Sequence, residues 1–345
     1  MIAIDEAKKL TPKNLAPVSL VTGDDLGQYS LLKETILQSL HFDPSDLAYS
    51  YFDLSEHSFQ EAERDLESLP FFAEEKIVIF DQFLDITSDK KHFLEDKELR
   101  RLEAYLENPV ESTKLILFAP GKLDGKRRLV KLLRRDAHIF EAAALKERDL
   151  RTHFQKYAHD LGLSFEKGVF DNLLIKSNLD FASMQKNLSF LSAYKKNGLV
   201  SQKDLEEAVP KTLQDNVFDL TQLVLTGQML QAQDLIKDLR LQGEDEVKLL
   251  AIMIGQFRTF LQVQILSSQH KSEQEIIGSL SDYLGRKVNP YQIKFAIRDS
   301  RTLSIAFLKF CLIQLIDTDY QIKTGRYEKN YLFDLAILKI ATYKK

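Results

Sequence analysis

The residues best placed to do chemistry follow the first apolar run, VSLVTG at 18–23. A phosphate-binding loop surrounds the phosphates with glycine N–H groups, a lysine and a serine or threonine, in the spacing GxxxxGK[ST]. Here the turn reads TGDDLG at 22–27, without the lysine and with two carboxylates where the phosphates would lie. Because like charges repel, we expect an α/β fold that has lost its nucleotide. An ATP-hydrolysing enzyme with an unusual loop is the alternative.

Two further positions resemble parts of a nucleotide site. Asp81 ends the apolar run IVIFD, where an acid would position magnesium, but Gln82 follows it in place of a glutamate base. Gly121 and Lys122 precede Leu123 rather than a serine or threonine, so a polar loop explains them equally well. The seven histidines show no zinc-ligand spacing, and no GxSxG motif occurs. We therefore expect no catalytic residue, no metal and no cofactor.

The segment LPFFAEE, which begins at Leu69, combines a proline with two adjacent aromatic rings. We expect an amphipathic helix over 59–69 to end near Leu69, because Pro70 cannot continue it. Adjacent residues in regular structure face different ways, so at least one ring of Phe71 and Phe72 is predicted to project outward. Such a ring is a hydrophobic wedge for a pocket on a partner. The alternative is that both rings plug the core beneath the loop, where most phenylalanines lie.

Two basic stretches are candidates for contact with nucleic acid. The first, KRRLVKLLRR at 126–135, is typical of an amphipathic helix with a solvated face; the alternative is a DNA-binding adaptor that contacts phosphates near Arg127. The second surrounds Gly325, and because a tyrosine among cations can stack on a base while they hold phosphates, Arg326 and Tyr327 are the predicted DNA-binding residues. A helix C-terminal cap with flanking cations is the alternative there.

Composition excludes several classes of protein. The 345 residues carry a net charge of −4, which gives no overall attraction to nucleic acid or anionic lipid. A hydrophobic fraction of 44% excludes wholesale disorder. The single cysteine, Cys311, excludes an internal disulfide and a cysteine-based metal site, and its apolar neighbours favour a buried position. Without a signal-peptide pattern or an apolar run of about 18 residues, we expect a protein of the cytoplasm.

The elements that position these residues change in character along the chain. Apolar strands alternate with helices at first, which predicts a parallel sheet in an α/β layer. The predicted strands are 18–23, 46–54, 76–83, 113–120 and 138–143, and the predicted helices cover 29–40, 59–69, 97–107 and a basic stretch capped by Asp124 and ending near Arg135. Beyond residue 143 only helical periodicity remains. The predicted class is therefore α/β plus all-α.

Taken together, five segments resemble the delta subunit family of the bacterial DNA polymerase III clamp loader. The resemblance covers nearly the whole chain and rests on the order and spacing of these segments. They are VSLVTGDD, DLESLPFFAEEKIVIFDQF, TKLILFAPGKLDGKRRLVKLL, NVFDLTQLVLTGQMLQAQDLIKDLRLQGEDEVKLLAIMIGQFR and IKTGRYEKNYLFDLAILKI.

The resemblance implies three domains: a RecA-like AAA+ domain with a degenerate nucleotide site (1–143), a helical lid (144–211) and a helical collar for oligomerisation (212–345). It implies that the chain hydrolyses no ATP and is part of the DNA-directed DNA polymerase holoenzyme, a nucleotidyltransferase complex. The collar is expected to join tau/gamma and delta-prime type subunits in a ring of five, and primer–template DNA is an expected partner within it.

The resemblance also implies that this subunit binds and opens the beta sliding clamp, so that the clamp can be loaded on primed DNA during chromosomal replication. In the family, a hydrophobic pair after the helix enters the clamp's peptide-binding pocket. The matching positions here are Phe71 and Phe72, with Leu69 one turn earlier. The family often has a Leu-Phe type pair, whereas this chain has Phe-Phe after a proline.

Overall fold

The computed structural model describes residues 2–70, 74–285 and 288–343. The chain forms two compact units, the first ending at Ser201 and the second beginning at Gln202. The predicted three-domain division, with boundaries after residues 143 and 211, remains a prediction.

A parallel sheet forms the centre of the first unit. Its five strands are β1 (Val18–Gly23), β2 (Tyr49–Asp53), β3 (Lys76–Asp81), β4 (Thr113–Pro120) and β5 (His138–Glu141). They lie in the order β2-β3-β4-β1-β5, and every neighbouring pair is parallel. The accompanying helices are α1 (Ala3–Ala7), α2 (Leu26–Ser39), α3 (Phe59–Glu67), α4 (Asp96–Glu107) and α5 (Arg128–Asp136), and a 3-10 turn spans Leu84–Ile86.

Burial explains why these segments form strands. β1 and β3 are buried at every position, as expected for a parallel sheet with both faces covered. On one face, Phe59 and Leu66 of α3 share a core with Val78 and Phe80 of β3. This packing fixes where α3 ends relative to the start of β3, and the α/β layer confirms the prediction.

Because all five strands run the same way, the sheet has two distinct edges. The carboxyl edge carries the turns that leave the strands, including the one after Gly23 and the one after Asp81. The amino edge carries the connections that enter the strands, including the one from Glu67 to Lys76. The degenerate nucleotide turn and Leu69 therefore lie at opposite edges of the sheet.

Several predicted boundaries differ from the structure by a few residues. The helix predicted over 59–69 ends at Glu67, because the residue before a proline avoids helical geometry. The strand predicted over 46–54 begins only at Tyr49. The prediction that Asp124 caps the basic helix is wrong: α5 begins at Arg128, and the Asp124 carboxylate accepts from the Lys126 N–H (3.1 Å) in the preceding turn.

The rest of the first unit is mainly helical, with one exception to the prediction. Helices α6 (Glu147–Asp160), α7 (Val169–Lys176) and α8 (Phe181–Lys195) accompany two short strands, β6 (Leu163–Phe165) and β7 (Gly198–Val200). These strands pair in parallel, so the expectation of no strand beyond residue 143 is wrong. Three residues are too few to show a periodicity of two, so only the tertiary pairing reveals them.

The second unit contains helices alone among its described residues. They are α9 (Gln202–Ala208), α10 (Leu213–Leu225), α11 (Met229–Leu241), α12 (Glu246–Ser268), α13 (Glu273–Leu284), α14 (Pro290–Ser300), α15 (Ile305–Lys323) and α16 (Lys329–Ala341). A single core joins α10 to α16, with Phe257 and Phe307 among its buried residues. Cys311 is buried in this core, as predicted.

Helix α12 is long and apolar enough to cross a membrane by length and composition. However, its residues Leu250, Met253 and Phe257 are fully buried in the core of the second unit. A helix that packs against several others in this way has the character of a core helix rather than of a membrane span.

Candidate functional site

The connection between α3 and β3 carries the predicted partner-binding residues. Leu69 lies two residues beyond the end of α3 and is 69% exposed. Phe71 and Phe72 lie outside the described residues. Single exposed leucines are common on protein surfaces, and Leu47 of the same unit is 71% exposed. At this exposure Leu69 is accessible to a partner from the amino edge of the sheet.

Lys76, the first residue of β3, holds the beginning of this connection from inside the protein. The lysine is only 5% exposed. Its ammonium group donates to the Asp65 carbonyl and to Ser68 Oγ, the latter at 2.7 Å, and the Asp65 carboxylate lies 3.5 Å away. A buried charge is tolerated when it is paired and hydrogen-bonded, and a cation is favourable at a helix C-terminus. The end of α3 is therefore tied to the start of β3.

Lys114, the second residue of β4, holds the other end of the connection. It is 7% exposed, donates to the Pro12 carbonyl at 2.6 Å and forms an ion pair of 2.7 Å with Glu75 Oε2. Lys114 pairs in register with Ile77, so its side chain and that of Lys76 project to opposite faces of the sheet. Both ends of the connection are thus held by buried ammonium groups.

Backbone hydrogen bonds close the carboxyl edge where a nucleotide would bind. The Gly23 N–H donates to the Gly121 carbonyl at 3.1 Å, and the Gly121 N–H donates to the Gly23 carbonyl at 2.9 Å. The Asp25 N–H donates to the Ala142 carbonyl at 3.2 Å. Gly23 has a φ of 144°, and a Cβ there would lie 2.1 Å from the Ala142 oxygen. N–H groups that a phosphate loop would offer to a ligand are therefore used within the chain.

The N-terminus of α2 already holds an anionic side chain. The Asp25 carboxylate accepts from the Gln28 N–H at 3.0 Å, in the place where a phosphate binds to helices of this kind. Burial raises the pKa of Asp25, and the negative charge of Asp180 adds to the increase. Gly27 approaches α8 so closely that a Cβ would lie 2.7 Å from the Ala182 methyl group. The residues present do not fit a nucleotide phosphate.

Asp81, the acid predicted at the magnesium position, forms an ion pair within the protein. It is 3% exposed and accepts hydrogen bonds from the Lys33 ammonium group and the Tyr51 hydroxyl. Burial and the hydrogen bond to Asp81 raise the pKa of Tyr51. Among the residues that the structure describes, no group of three or more His, Cys, Asp or Glu side chains is arranged to hold a metal ion. Asp81 therefore has the surroundings of a structural ion pair.

Two loops at the carboxyl edge bring cations together, and we call residues 87–92 and 121–127 the basic loop pair. The Ser88 N–H donates to the Lys122 carbonyl at 2.8 Å, and the Arg127 guanidinium lies 3.3 Å from His92 Nε2. Four exposed lysines, namely Lys90, Lys91, Lys122 and Lys126, accompany Arg127. On the helix itself, Arg128 and Arg135 are paired with acids. Arg127 is itself 3.6 Å from the Asp124 carboxylate, and Lys131 and Arg134 of α5 are also exposed, so the exposed positive charge extends over both the loops and α5.

Arg326 and Tyr327 lie in the second unit, on the turn between α15 and α16. The Gly325 N–H donates to the Ile322 carbonyl at 3.0 Å, and the Arg326 N–H donates to the Gln321 carbonyl at 3.2 Å. Gly325 has a φ of 67°, so these bonds form the glycine cap that was the alternative explanation of the segment. The cap leaves both side chains in solvent, with Tyr327 66% exposed.

An ion-pair network fixes the start of α16, directly after this turn. Glu246 is 2% exposed and accepts from Arg240 Nε at 2.8 Å. Arg240 also pairs with Asp334 at 2.9 Å, and the Lys329 ammonium group pairs with Asp245. The network joins the connection between α11 and α12 to α16, so the turn that carries Tyr327 is anchored at its C-terminal side.

Sequence reasoning missed Lys33, Lys76 and Lys114. A lysine near the start of an apolar strand normally reaches into solvent, so KIVIF and TKLILF contain no local sign that the charge is buried. Lys33 and Lys114 pair with acids that are distant in the sequence, and strand order brings those pairs together. Lys76 instead meets Asp65 of the preceding helix, where the packing of α3 on β3 creates the contact.

Comparisons with known proteins agree with the resemblance. A family model described as "DNA polymerase III, delta subunit" matches residues 20–143, and one described as the C-terminal domain of that subunit matches residues 214–340. The DNA polymerase III subunit delta of Bacillus subtilis (strain 168) is 27% identical over 348 residues, covering 98% of this chain and 97% of the relative. The solved structure of the Bacillus subtilis DNA clamp loader delta protein matches with a TM-score of 0.59 and 26% identity, covering 99% of both chains.

Proposed function

Because this chain belongs to the family of the DNA polymerase III delta subunit, we propose that it binds and opens the beta sliding clamp for loading on primed DNA, without hydrolysing ATP itself. Membership makes it a clamp-loader subunit and hence part of the DNA polymerase III holoenzyme. In the proposal the chain works in the cytoplasm. Its sister subunits hydrolyse ATP, and this chain binds the clamp.

One observation carries the proposal: Leu69 is 69% exposed on a connection whose two ends are held by buried lysines. In the proposal, Leu69, Phe71 and Phe72 form the clamp-binding wedge. Burying both phenylalanine rings in a pocket contributes roughly 3–6 kcal/mol at about 1.5–3 kcal/mol each, which is about two to four decades of affinity. The rigid sheet behind the segment provides a base from which it can hold the clamp.

Opening the clamp requires more than affinity. Only a difference in affinity between two states shifts their equilibrium, so the wedge must bind the open, strained clamp better than the closed one. A wedge at the amino edge, seated near the interface between two clamp subunits, meets this requirement if the bound segment fits the interface only when it is open. ATP binding by sister subunits then decides when the wedge reaches the clamp.

The carboxyl edge supports the proposal that this chain does not hydrolyse ATP. The Gly23 and Gly121 N–H groups are bonded to each other's carbonyls, Asp25 occupies the helix N-terminus, and Asp81 is paired with Lys33. A nucleotide would have to displace all three arrangements. The rival, an ATPase with an unusual loop, predicts ATP turnover by the isolated chain.

The second unit is proposed as the collar. Its helices α10 to α16 share one core, which suits a rigid body that joins tau/gamma and delta-prime type subunits in a ring. The helical part that follows residue 143 is proposed as the lid. Its helix α8 packs against α2 through Gly27 and Ala182, so the lid position is set here by protein contact instead of by nucleotide.

The test is a pull-down of purified beta clamp with the intact chain and with the double variant Phe71→Ala/Phe72→Ala. We expect the variant to lose clamp binding while it keeps its circular dichroism spectrum and still assembles with the other loader subunits. A double variant that binds and loads clamps like the wild type would refute the wedge. ATP turnover by the purified wild-type chain would refute the non-catalytic role.

A second candidate function is contact with the primer–template backbone inside the loader, and two surfaces compete for it. The basic loop pair concentrates exposed lysines around Arg127 within a chain of net charge −4, which favours phosphate contacts. The turn with Arg326 and Tyr327 instead offers an exposed ring for stacking on a base.

Salt dependence separates these two surfaces. If the loop pair contacts phosphates, Lys122→Ala/Lys126→Ala in the assembled loader lowers the slope of log affinity against log salt by about 1.8, since each phosphate contact contributes about 0.9. Tyr327→Ala instead weakens binding by about 1–3 kcal/mol per stacked base without changing that slope. The matched control, Lys8→Ala/Lys9→Ala at the C-cap of α1 and the residue after it, should leave both quantities unchanged.

A further inference from the structure

Lys76 and Lys114 are buried cations that no part of the nucleotide or DNA arguments uses. We propose that they are positioning residues for clamp binding: they hold the two ends of the segment 69–75 so that Leu69 is presented in the geometry that the clamp accepts. This inference rests on the proposed function, because it concerns the same surface.

Burial separates this role from direct contact. Lys76 is 5% exposed and Lys114 is 7% exposed, so neither ammonium group can reach a partner protein without local unfolding. Their hydrogen bonds go to the residues that flank the segment. Lys76 binds the Asp65 carbonyl and Ser68 Oγ on the side of α3, and Lys114 binds Glu75 on the side of β3.

Stability alone does not explain two lysines at these positions. A buried charge must overcome its loss of hydration, and well-packed apolar residues usually stabilise a core equally well or better. An apolar side chain, however, has no directional bond with which to fix a neighbouring loop. Lys76 makes contacts to Ser68 and to both the carbonyl and the carboxylate of Asp65, and these contacts define the point from which the chain leaves α3.

The second lysine adds a tie to another part of the chain. Lys114 donates to the Pro12 carbonyl at 2.6 Å in addition to its ion pair with Glu75. The Lys76 N–H itself donates to the Ser112 carbonyl at 2.9 Å. Lys76 is therefore held to the residue before β4, and the neighbouring Glu75 is held, through Lys114, to the chain before β1. With Ser68 held beside it, Leu69 loses less conformational freedom on binding.

The experiment measures clamp affinity and hydrogen exchange of the intact chain in parallel. Lys76→Met removes the first tie, while Glu75→Gln removes the charge of the second at a side chain that is 48% exposed and cannot disrupt the core. Lys114→Arg keeps the ion pair and serves as the conservative control. We expect about tenfold weaker clamp binding for Lys76→Met, equivalent to about 1.4 kcal/mol, with faster exchange across residues 68–76. Glu75→Gln should show a smaller loss, and Lys114→Arg should resemble the wild type.

A double-mutant cycle with Leu69→Ala identifies positioning. If Lys76 positions Leu69, then Leu69→Ala weakens binding less in the Lys76→Met background than in the wild type. The inference is overturned if Lys76→Met exchanges hydrogen faster but binds the clamp with unchanged affinity. It is also overturned if hydrogen exchange is unchanged, or if the two substitutions are fully additive in the cycle. None of these results would refute the wedge. If Phe71→Ala/Phe72→Ala also binds like the wild type, the proposed clamp site fails, and the positioning role fails with it.

Discussion

Truncation of Leu69 gives a quantitative test of the proposed clamp surface. Leu69→Ala removes three carbon atoms, worth about 2.4 kcal/mol in all at about 0.8 kcal/mol for each buried group. In the free chain 69% of this residue is exposed. Since only that fraction remains to be buried on binding, the variant should lose about 1.7 kcal/mol of clamp affinity, an increase in Kd of about 17-fold.

The assay is titration calorimetry of the purified chain with the beta clamp at one salt concentration. Leu26→Ala is the matched control, because Leu26 is also a leucine in the first unit, is 61% exposed and lies at the carboxyl edge of the sheet. Neither substitution should lower the free energy of unfolding by more than about 0.5 kcal/mol, as is usual for surface positions. Equal Kd values for the wild type and Leu69→Ala, or equal losses for the two variants, would refute the assignment of the clamp surface to the amino edge.

Three further predictions concern the carboxyl edge. Burial raises the pKa of Asp25 above its ordinary value of 3.8, so ionisation of this carboxyl destabilises the folded chain. Asp25→Asn should therefore have a higher free energy of unfolding in urea than the wild type at pH 7, and the difference should close as pH falls through the folded-state pKa. A difference that is independent of pH would contradict this. Lys33→Met leaves the Asp81 carboxylate buried without its cation and should lower the free energy of unfolding by about 3–5 kcal/mol. Lys33→Met/Asp81→Asn should recover much of that loss in the same urea titration. A loss below about 1 kcal/mol in the single variant would contradict a stabilising role for the ion pair. Gly23→Ala places a Cβ 2.1 Å from the Ala142 oxygen at a φ of 144°, so it should lower the melting temperature by an amount equivalent to at least about 2–3 kcal/mol, and normal thermal stability would show that the turn adapts.

The order of elements was largely predictable. Runs such as VSLVTG and TKLILFAP are apolar on both faces, which only a covered parallel strand or a buried helix can use, and their length favours strands. All five predicted strands of the first unit are present, with β1 and β4 bounded as predicted. The short strands β6 and β7 were missed because each has three residues, so their strand geometry depends on a partner that is distant in the sequence.

The candidate site was predictable only in part. The pattern around Pro70 correctly indicated that a helix ends, since backbone geometry before a proline is a local property. Whether the rings of Phe71 and Phe72 face a partner remains a prediction, because those residues lie outside the described ones. The anchoring was not visible, because the tie from Lys76 depends on the packing of α3 on β3 and the tie from Lys114 depends on the pairing of β3 with β4.

The sequence by itself determined that the turn after β1 lacks the groups a nucleotide needs, because the absence of a lysine and the presence of two carboxylates are matters of composition at fixed spacing. Tertiary structure alone decided what replaces the nucleotide. The order β2-β3-β4-β1-β5 brings the carbonyl of Gly121 to the N–H of Gly23 and the amine of Lys33 to Asp81. The pairing of β3 with β4 likewise brings Lys114 to Glu75, the residue before β3, at the opposite edge. Pairings between residues far apart in the chain depend on strand order, which local patterns do not encode.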